Sequence, residues 1–483
     1  MEEPLIQIND FKGGMTLNEK LGRPDQFHIG SQIDFFSYPG KLTVGKGWEI
    51  RKYGAEADWP TKLEWVTLYN GDPYWGGADG KIYNLSGLAH DTGDTNGMRG
   101  MAEYQGNLYY AVGYYDVGKY DGSSWTDNWQ DGALEFADYH TMYVSLNGKL
   151  YIANGQYVAS YDGTTFKARD LDLPDGWKVV SLADFGELYL AIGATYKRGS
   201  YPYRCAIFLW DRSSPSYNAF IEIPENQMRA MLFQSGWLWI WAGETSNIYV
   251  MREGSREAVK IFSFSKEKIA PGLIVYPSAV CAWKGTVYFG LSDVISTAVT
   301  TYSYHPQFPT GIYSFPVDPN RFSINIPYKS PREKNEQIYS LLVARRRVWA
   351  FYYFHDGVDY HYYLYRERSE EDNQNPYWEH GTYESFTYDA PPGYKFVTDE
   401  FWVEFDPLPS TAAISLYVKT EDGWQTLKEN FQTDGATYFR VGKKIEAEYI
   451  KLKLTISGGL SSDPTSRPLI KRISVLGHYV RKI

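Results

Sequence analysis

Two stretches of the chain repeat the same order of apolar and polar positions almost back to back. The first contains the segments 106–111 (GNLYYA) and 119–125 (KYDGSSW), and the second contains 148–153 (GKLYIA) and 160–166 (SYDGTTF). In each copy an apolar run is followed by a glycine turn, by residues of high strand propensity and by a second turn at Asp-Gly. Because Asp-Gly and Asn-Gly tolerate the positive φ angles of tight hairpins, each copy predicts three or four antiparallel strands.

The length of this repeat, about 40 residues, is typical of a β-propeller blade with four strands. The second strand of a blade can be counted seven times in the sequence, and these strands begin at Gly71, Gly106, Gly148, Gly186, Gly236, Gly285 and Arg347. Blades arranged in a ring cover each other's apolar faces and leave only short strand edges. We therefore predict an all-β protein whose main domain is a β-propeller, with seven blades favoured and eight as the alternative.

The segments on either side of the repeats follow other patterns. Residues 1–60 are predicted to form an extended arm and a hairpin at 41–51 that joins the first or last blade and closes the ring. A partly ordered terminus is the alternative. The propeller repeats occupy residues 61–385. An Ala-Pro-Pro-Gly segment at 390–393 is interpreted as a linker, and apolar and polar residues alternate beyond it. This alternation predicts a C-terminal antiparallel β-sandwich over residues 386–483.

Composition and charge exclude several classes of partner. The formal net charge of −10 opposes a phosphate backbone, so nucleic-acid binding is not expected. No apolar run approaches the roughly 20 residues of a membrane span, and the first residues do not form a secretory signal. We therefore expect a soluble protein made in the cytoplasm. The two cysteines, Cys205 and Cys281, lie in predicted strands and are expected to be buried free thiols.

No catalytic, metal or cofactor site emerges from the motifs. The Asp-Gly turns resemble the Asp-box hairpins of sialidases but lack the residue between Asp and Gly, and an Asp box is a folding element. The acidic runs 370–372 and 399–400 are interpreted as solvated loops, and the eight histidines as surface or blade-edge residues. The basic cluster 345–347 is predicted to pair with acids on a neighbouring blade or subunit. We predict no enzyme activity, metal or cofactor.

The sequence offers one class of candidate contact residue, tyrosine in and near loops. The intervals between repeats lengthen toward the C-terminus, and the extra residues at 196–203, 292–309 and 366–375 are predicted to lie in loops at the rims of the propeller. Tyrosine combines a large contact area with a hydrogen-bonding tip, which suits both sugar rings and protein interfaces. Packing between blades is the alternative role. The candidate interface residues are Phe11, Tyr196, Tyr201, Tyr203, Tyr353, Tyr360 and Tyr362.

The ends of the chain resemble those of a known group of proteins. Residues 9–14 (NDFKGG) with 39–42 (PGKL) are similar to the lead segment of tailed-bacteriophage virion proteins, in which a short arm precedes a propeller. The segments 401–409, 414–424 and 471–476 are similar to the terminal β-sandwich of the same group.

The resemblance implies a structural, tail-associated component of the virion, synthesised in the host cytoplasm. Its expected partners are other virion proteins, further copies of itself and a host-surface glycan or receptor. Its arm, with Phe11, would dock on a neighbour. A carbohydrate- or receptor-binding propeller, with its site in the insertions 196–203 and 292–309, is the alternative. A propeller glycosidase, which needs two carboxylates roughly 5 to 10 Å apart, is less favoured.

Overall fold

The computed structural model describes thirteen ranges of the chain and divides them into two compact units. The propeller unit comprises Ile50–Gly311 and Ser330–Arg366, and the sandwich unit comprises Met1–Glu49, Ile312–Lys329 and Glu367–Ile483. The described residues are 4–15, 26–35, 40–45, 47–54, 63–199, 201–264, 274–292, 310–329, 336–355, 360–368, 380–409, 412–457 and 467–482.

Consecutive antiparallel sheets form the propeller unit, and blades 1 to 5 each use four strands in chain order. Blade 1 has strands Leu63–Tyr69, Asp72–Gly77, Lys81–Asn84 and Gly87–Asp91; blade 2 has Met98–Tyr104, Asn107–Val112, Asp116–Tyr120 and Trp125–Gln130; blade 3 has Met142–Val144, Leu150–Asn154, Tyr157–Tyr161 and Phe166–Asp172. Blade 4 has Trp177–Phe185, Tyr189–Arg198, Tyr201–Trp210 and Ala219–Ile223; blade 5 has Met228–Gln234, Trp237–Ala242, Asn247–Arg252 and Val259–Phe262.

The last two blades complete the count of seven within the described residues. Blade 6 begins with Val280–Trp283 and Thr286–Leu291, and blade 7 has Glu336–Ala344, Arg347–His355, Tyr360–Glu367 and Trp48–Gly54 in that order across the sheet. The strand Trp48–Gly54, from the N-terminal part of the chain, therefore joins the last blade, as the prediction of a closing strand requires. All seven predicted second strands are present, so the predictions of an all-β propeller and of seven blades are confirmed.

The first strand of each blade packs against the first strand of the next, and that of blade 7 packs against that of blade 1. One apolar cluster spans this closing junction, since Val66 and Trp75 of blade 1 lie with Trp349 and Phe351 of blade 7. Trp75 and Phe351 approach with ring centroids 5.6 Å apart. The ring is thus sealed by apolar contact between blades, because a single blade cannot bury both of its faces alone.

Tight hairpins between the first and second strands repeat one backbone geometry. Two successive residues have positive φ at Asn70-Gly71, Gln105-Gly106, Ser235-Gly236, Lys284-Gly285 and Arg345-Arg346. This geometry matches the right-handed twist of the flanking strands. In blade 7 two arginines take the place of the usual X-Gly, and Arg345 forms an ion pair with Asp72 of blade 1. The prediction that this basic cluster pairs with a neighbouring blade is confirmed for Arg345.

The Asp-Gly turns between third and fourth strands are closed by their aspartates. Asp121 accepts hydrogen bonds from the backbone N–H groups of Ser123 and Ser124, and Asp162 accepts them from Thr164 and Thr165, all between 2.8 and 2.9 Å. Each carboxylate also accepts a hydroxyl hydrogen bond at 2.7 Å. These turns are the folding elements that the sequence predicts.

These aspartates should make the turns sensitive to acid. Hydrogen bonds from the hydroxyl of Ser123 and the backbone N–H of Ser124 lower the pKa of Asp121 from 3.8 to about 2. Hydrogen bonds from the backbone N–H of Thr165 and the hydroxyl of Thr164 lower the pKa of Asp162 by the same amount. Because both pKa values are lower in the folded protein, the ionised carboxylates stabilise the turns above about pH 4. This stabilisation is lost as the pH falls toward 2. We expect both carboxyl ¹³C resonances to titrate near pH 2. In Asp121→Asn one titration should vanish while the turn persists, and midpoints near 3.8 would contradict the expectation.

Two antiparallel sheets form the sandwich unit. One sheet has Ile6–Ile8, Ile470–Arg481, Tyr394–Phe405 and Tyr438–Ala447 in that order, and the other has Gly423–Phe431, Ala413–Thr420, Tyr449–Ser457, His380–Asp389 and Ile29–Ser31. Phe405 of the first sheet meets Phe431 of the second with ring centroids 6.1 Å apart. Shorter elements of this unit are Gly14–Met15, Gln26–Phe27, Ile33–Asp34, Thr43–Val44, Gly311–Pro316, Asn325–Lys329 and the 3₁₀ helix Pro319–Arg321.

Several N-terminal and boundary predictions differ from the structure. The predicted hairpin of 41–44 with 48–51 is wrong, because Thr43–Val44 pairs with Ile33–Asp34 and Leu42 bridges Ile470. The segment supplies only one strand to the propeller. The predicted boundary between residues 385 and 386 falls inside the strand His380–Asp389, and the Pro-Pro-Gly segment turns the chain from one sandwich sheet to the other.

Candidate functional site

A β-bulge recurs near the start of the first strand in five of the seven blades. The strand register shifts between Leu63/Trp65, Met98/Gly100, Val179/Ser181, Met228/Ala230 and Ile338/Ser340. The extra residues at these bulges are Glu64, Arg99, Val180, Arg229 and Tyr339. A bulge turns one additional side chain out of the regular alternation of a strand. In these five blades the fold therefore repeats a bulge that presents one additional side chain at an equivalent strand position.

All five bulge residues line two adjoining cavities, which together are called the groove. A cavity of about 310 Å³ is lined by Glu64, Arg99 and Tyr339 with Tyr276, and a cavity of about 670 Å³ is lined by Val180 and Arg229 with Lys178, Lys197 and Pro202. Asp138 and Tyr139 line both. Volumes of this size lie in the range of small-ligand sites. The groove is the candidate functional site.

Hydrogen bonds fix the side chains near Asp138. Lys197 lies 2.6 Å from the Asp138 carboxylate, and Arg99 donates to the carbonyl oxygens of Asp138 and Asn96, each at 3.0 Å. The Arg99 guanidinium also covers the ring of Tyr114, 4.0 Å from its centroid. Because these groups already hold one another, this side of the groove has a defined shape before any ligand arrives.

Burial shifts the pKa values of both Arg229 and Tyr139. Burial raises the pKa of Tyr139 to about 12, and the nearby Arg229 opposes that rise. Burial lowers the pKa of Arg229, while Tyr139, Tyr276 and Glu244 act in the opposite direction. Tyr139 thus keeps its phenolic proton at neutral pH, and Arg229 keeps its charge in a partly dehydrated place. Such groups interact with a ligand more strongly than fully hydrated ones.

Exposed aromatic residues flank the larger cavity. Phe136 is half exposed and stacks on Tyr114, with ring centroids 4.5 Å apart. On the hairpin of Tyr189–Arg198 with Tyr201–Trp210, Tyr201 and Tyr203 are 79% and 60% exposed. The hairpin is the predicted insertion at 196–203, and its Lys197 and Pro202 line the groove. The structure thus brings this insertion to the site.

The other candidate contact residues have different fates. Tyr196 is half-buried against Trp177, at 5.6 Å between ring centroids. Phe11 is completely buried in the sandwich unit, edge-on to Tyr383 at 5.4 Å, so it is a core residue and not an exposed contact. The side chains of Tyr353, Tyr360 and Tyr362 lie outside the described residues, although their backbones lie in blade 7. Residues 293–309 and 369–375 also lie outside them.

Sequence reasoning missed the bulge residues, although a signal for two of them exists. Blade 2 begins with Met98-Arg99-Gly100-Met101 and blade 5 with Met228-Arg229-Ala230-Met231, the same Met-Arg-small-Met order. The alternation of a regular strand would place both arginines on a packed face. A repeated charged residue at such a position is a sign of a bulge.

Histidines, cysteines and acidic runs add no second site among the described residues. His140 is buried, with ring nitrogens 2.8 and 3.0 Å from the carbonyl oxygens of Ala153 and Tyr114. Of its two predicted locations, surface or blade edge, the surface location is therefore wrong. Both cysteines are buried free thiols, as predicted. Asp399 and Glu400 face His478 and Arg440 at 3.6 and 3.8 Å on the sandwich surface.

The search for metal sites and membrane spans covers the described residues only. Among them, no group of three His, Cys, Asp or Glu side chains is placed to hold a metal ion. None of their helices has the length and apolar character needed to cross a membrane.

Several solved structures are similar to this chain at low sequence identity. No protein-family model and no curated protein matches the chain. The computationally designed Ika8 protein aligns with 75% of this chain and 99% of its own at 11% identity and a TM-score of 0.41. The extracellular domain of the hybrid two-component system BT3049 from B. thetaiotaomicron aligns with 89% of this chain and 62% of its own, at 11% identity and a TM-score of 0.47. The Dos1 propeller aligns with 75% of this chain and 94% of its own, at 12% identity and a TM-score of 0.41. TM-scores below 0.5 carry no argument about function.

Proposed function

We propose that this protein acts by binding and not by turning over a substrate, as a structural, tail-associated component of a bacteriophage particle. The groove is its contact face in this proposal, and its partners are other virion proteins, further copies of itself and a host-surface receptor. The sequence resemblance at both ends of the chain supports the assignment to a virion.

One structural observation carries the proposal that the groove binds. Five blades each turn a side chain toward the same pair of cavities through a bulge at an equivalent position. Asp138, Lys197 and Arg99 around these cavities are already held by ion pairs and carbonyl acceptors. A rigid arrangement of this kind loses little conformational entropy on binding. Recognition therefore suits it better than chemistry that requires a free acid or base.

The exposed tyrosines extend this face toward a larger partner. Tyr201 and Tyr203 stand on a hairpin that also contributes Lys197 and Pro202 to the groove. Tyrosines that are exposed on a rigid strand pair are typical of residues that anchor protein interfaces. The hairpin and the groove together would form one continuous contact surface.

The proposal is tested on particles purified from cultures that express the chain. Mass spectrometry should find it as a particle component, and the double variant Tyr201→Ala/Tyr203→Ala should be incorporated about tenfold less, because two interface anchors are lost. Leu188→Ala, an exposed apolar residue at the other end of the same blade, is the matched control and should be incorporated normally. Absence of the chain from purified particles would contradict the proposal.

Carbohydrate binding is the second candidate, and the aromatic flank favours it. Phe136 lines the larger cavity together with the cationic Lys178 and Arg229, a mixture that sugar rings with polar substituents need. The exposed Tyr201 stands on the hairpin that contributes Lys197 to the same cavity. The glycosidase alternative would use a carboxylate pair in the groove, where Asp138 is engaged with Lys197.

A further inference from the structure

In the part of the chain that the structure describes, Arg229 is held at one edge of its guanidinium. Its Nε donates to the carbonyl oxygen of Gly243 at 3.2 Å. Among the described residues, no hydrogen bond or ion pair engages its two Nη groups, and the side chain lines the larger cavity. The neighbouring Glu244, whose charge acts on Arg229, accepts a hydrogen bond from the amide of Asn226 at 3.0 Å. The planar fork of Arg229 is therefore oriented by the backbone and open on its ligand-facing side.

The charged side chains that line the larger cavity have a positive excess. Asp138 is neutralised by Lys197 at 2.6 Å, and the remaining charged groups of the lining are Lys178 and Arg229. The whole chain carries a formal charge of −10. A concave, positively charged site on an acidic protein focuses its electric field and attracts an anionic ligand, whereas a neutral ligand gains little from this field.

The polar and aromatic groups of the lining suit a hydroxylated ring. The phenolic group of Tyr139 keeps its proton and can donate a hydrogen bond, and Gln227 adds an amide. Phe136 offers one exposed ring face, since its other face stacks on Tyr114. An anion without apolar ring faces, such as free phosphate, would leave these surfaces unused.

We propose that the larger cavity binds a carboxylated sugar, whose carboxylate forms two hydrogen bonds with Arg229 while the sugar ring packs on Phe136. The planar guanidinium matches a carboxylate in a two-point geometry that an ammonium group does not reproduce. Lys178 adds a second cation, and Tyr139 donates to a ring hydroxyl. The inference rests on the groove being the contact face of the protein, and it names the ligand class of that face.

The experiment is isothermal titration calorimetry of the full chain with two matched pairs of probes. Trigalacturonic acid is compared with its methyl ester, and sialyllactose with lactose, so that uronic and sialic acids are distinguished as sources of the carboxylate. We expect one acid of the two to bind, and its neutral counterpart to bind at least about tenfold more weakly, since a charge-assisted pair is lost.

Variants assign the binding to Arg229. Arg229→Gln should weaken the acidic probe by at least about tenfold, and Arg229→Lys should weaken it in part, because the charge remains but the fork is lost. The exposed Arg252 lies in the same blade and does not line the cavity, so Arg252→Gln should bind as the unmodified chain does. If Arg229→Gln fails to fold, Lys178→Gln should give the same direction of change.

Three outcomes would overturn the inference. These are equal binding of the acid and its neutral counterpart, no binding of either acid, and unchanged binding by folded Arg229→Gln. None of them bears on whether the chain is a particle component. A chain that is absent from particles but binds the acidic sugar would instead defeat the proposed virion role and leave the sugar site standing.

Discussion

Replacement of Asp184 by alanine should lower the free energy of unfolding by about 3–5 kcal/mol, the cost of leaving a buried charge without its partner. Asp184 is 1% exposed and forms an ion pair with Arg212, which is 9% exposed. The same carboxylate accepts from the hydroxyl of Tyr143 at 3.0 Å and the backbone N–H of Leu146 at 2.8 Å. It therefore joins blade 4 to blade 3 by charge-assisted hydrogen bonds.

Arg212 cannot easily find other partners once the carboxylate is gone. Its Nη1 and Nη2 donate to the carbonyl oxygens of Glu187 and Tyr189, both at 2.9 Å, and neither acceptor carries a charge. Its backbone has φ 66°, at a turn position where the earlier repeats have Gly122 and Gly163. The side chain is thus directed inward by an unusual backbone conformation, and water has little access to it.

Equilibrium denaturation in guanidinium chloride measures the effect. Glu222→Gln, which removes an exposed carboxylate paired with Arg204 on the same blade, is the control and should leave stability unchanged within error. The double variant Asp184→Leu/Arg212→Met should recover much of the loss, because it removes both charges together. A cost below about 1 kcal/mol for Asp184→Ala would show that the pair is not buried in solution.

The hairpins could be predicted from the sequence, whereas the site could not. Glycine after Asn, Gln or Ser marks a backbone with two positive φ angles, and this local requirement appears in the sequence at Gly71, Gly106 and Gly236. The bulges that direct Arg99 and Arg229 into the groove depend on the register between two strands. That register is a property of the pair and leaves only the faint Met-Arg-small-Met repeat.

The prediction for the N-terminal segment was wrong for a related reason. The residues 41–44 have strand propensity, but propensity does not name the partner strand. Thr43–Val44 pairs with Ile33–Asp34, and Leu42 with Ile470, more than 400 positions away. Phe11 likewise looked like an exposed anchor because its aromatic partner, Tyr383, is far away in the sequence. Contacts of this range are decided by the packed fold, which local patterns do not encode.

Gly100→Ala should be the second severe substitution, because no room exists for a β-carbon at this position. An added Cβ would lie 1.9 Å from the carbonyl oxygen of His140 in the segment that leads into blade 3. The contacted atom belongs to the backbone of His140, which would have to move. A hydrogen bond opposes that movement, since the N–H of His140 donates to the carbonyl oxygen of Arg99 at 2.9 Å. We expect a loss at or above the upper end of about 1–3 kcal/mol, typical of overpacked cores.

The same substitution should also damage the groove, since Gly100 and His140 each adjoin a lining residue. Arg99 precedes Gly100, and Tyr139 precedes His140, so separating the two backbones moves both side chains. Denaturation and titration with the acidic sugar should therefore report a joint loss of stability and binding. Gly442→Ala is the matched control, because its Cβ would meet nothing closer than 4.0 Å and its φ is not positive. A stable Gly100→Ala protein that binds normally would mean that blades 2 and 3 approach less closely in solution.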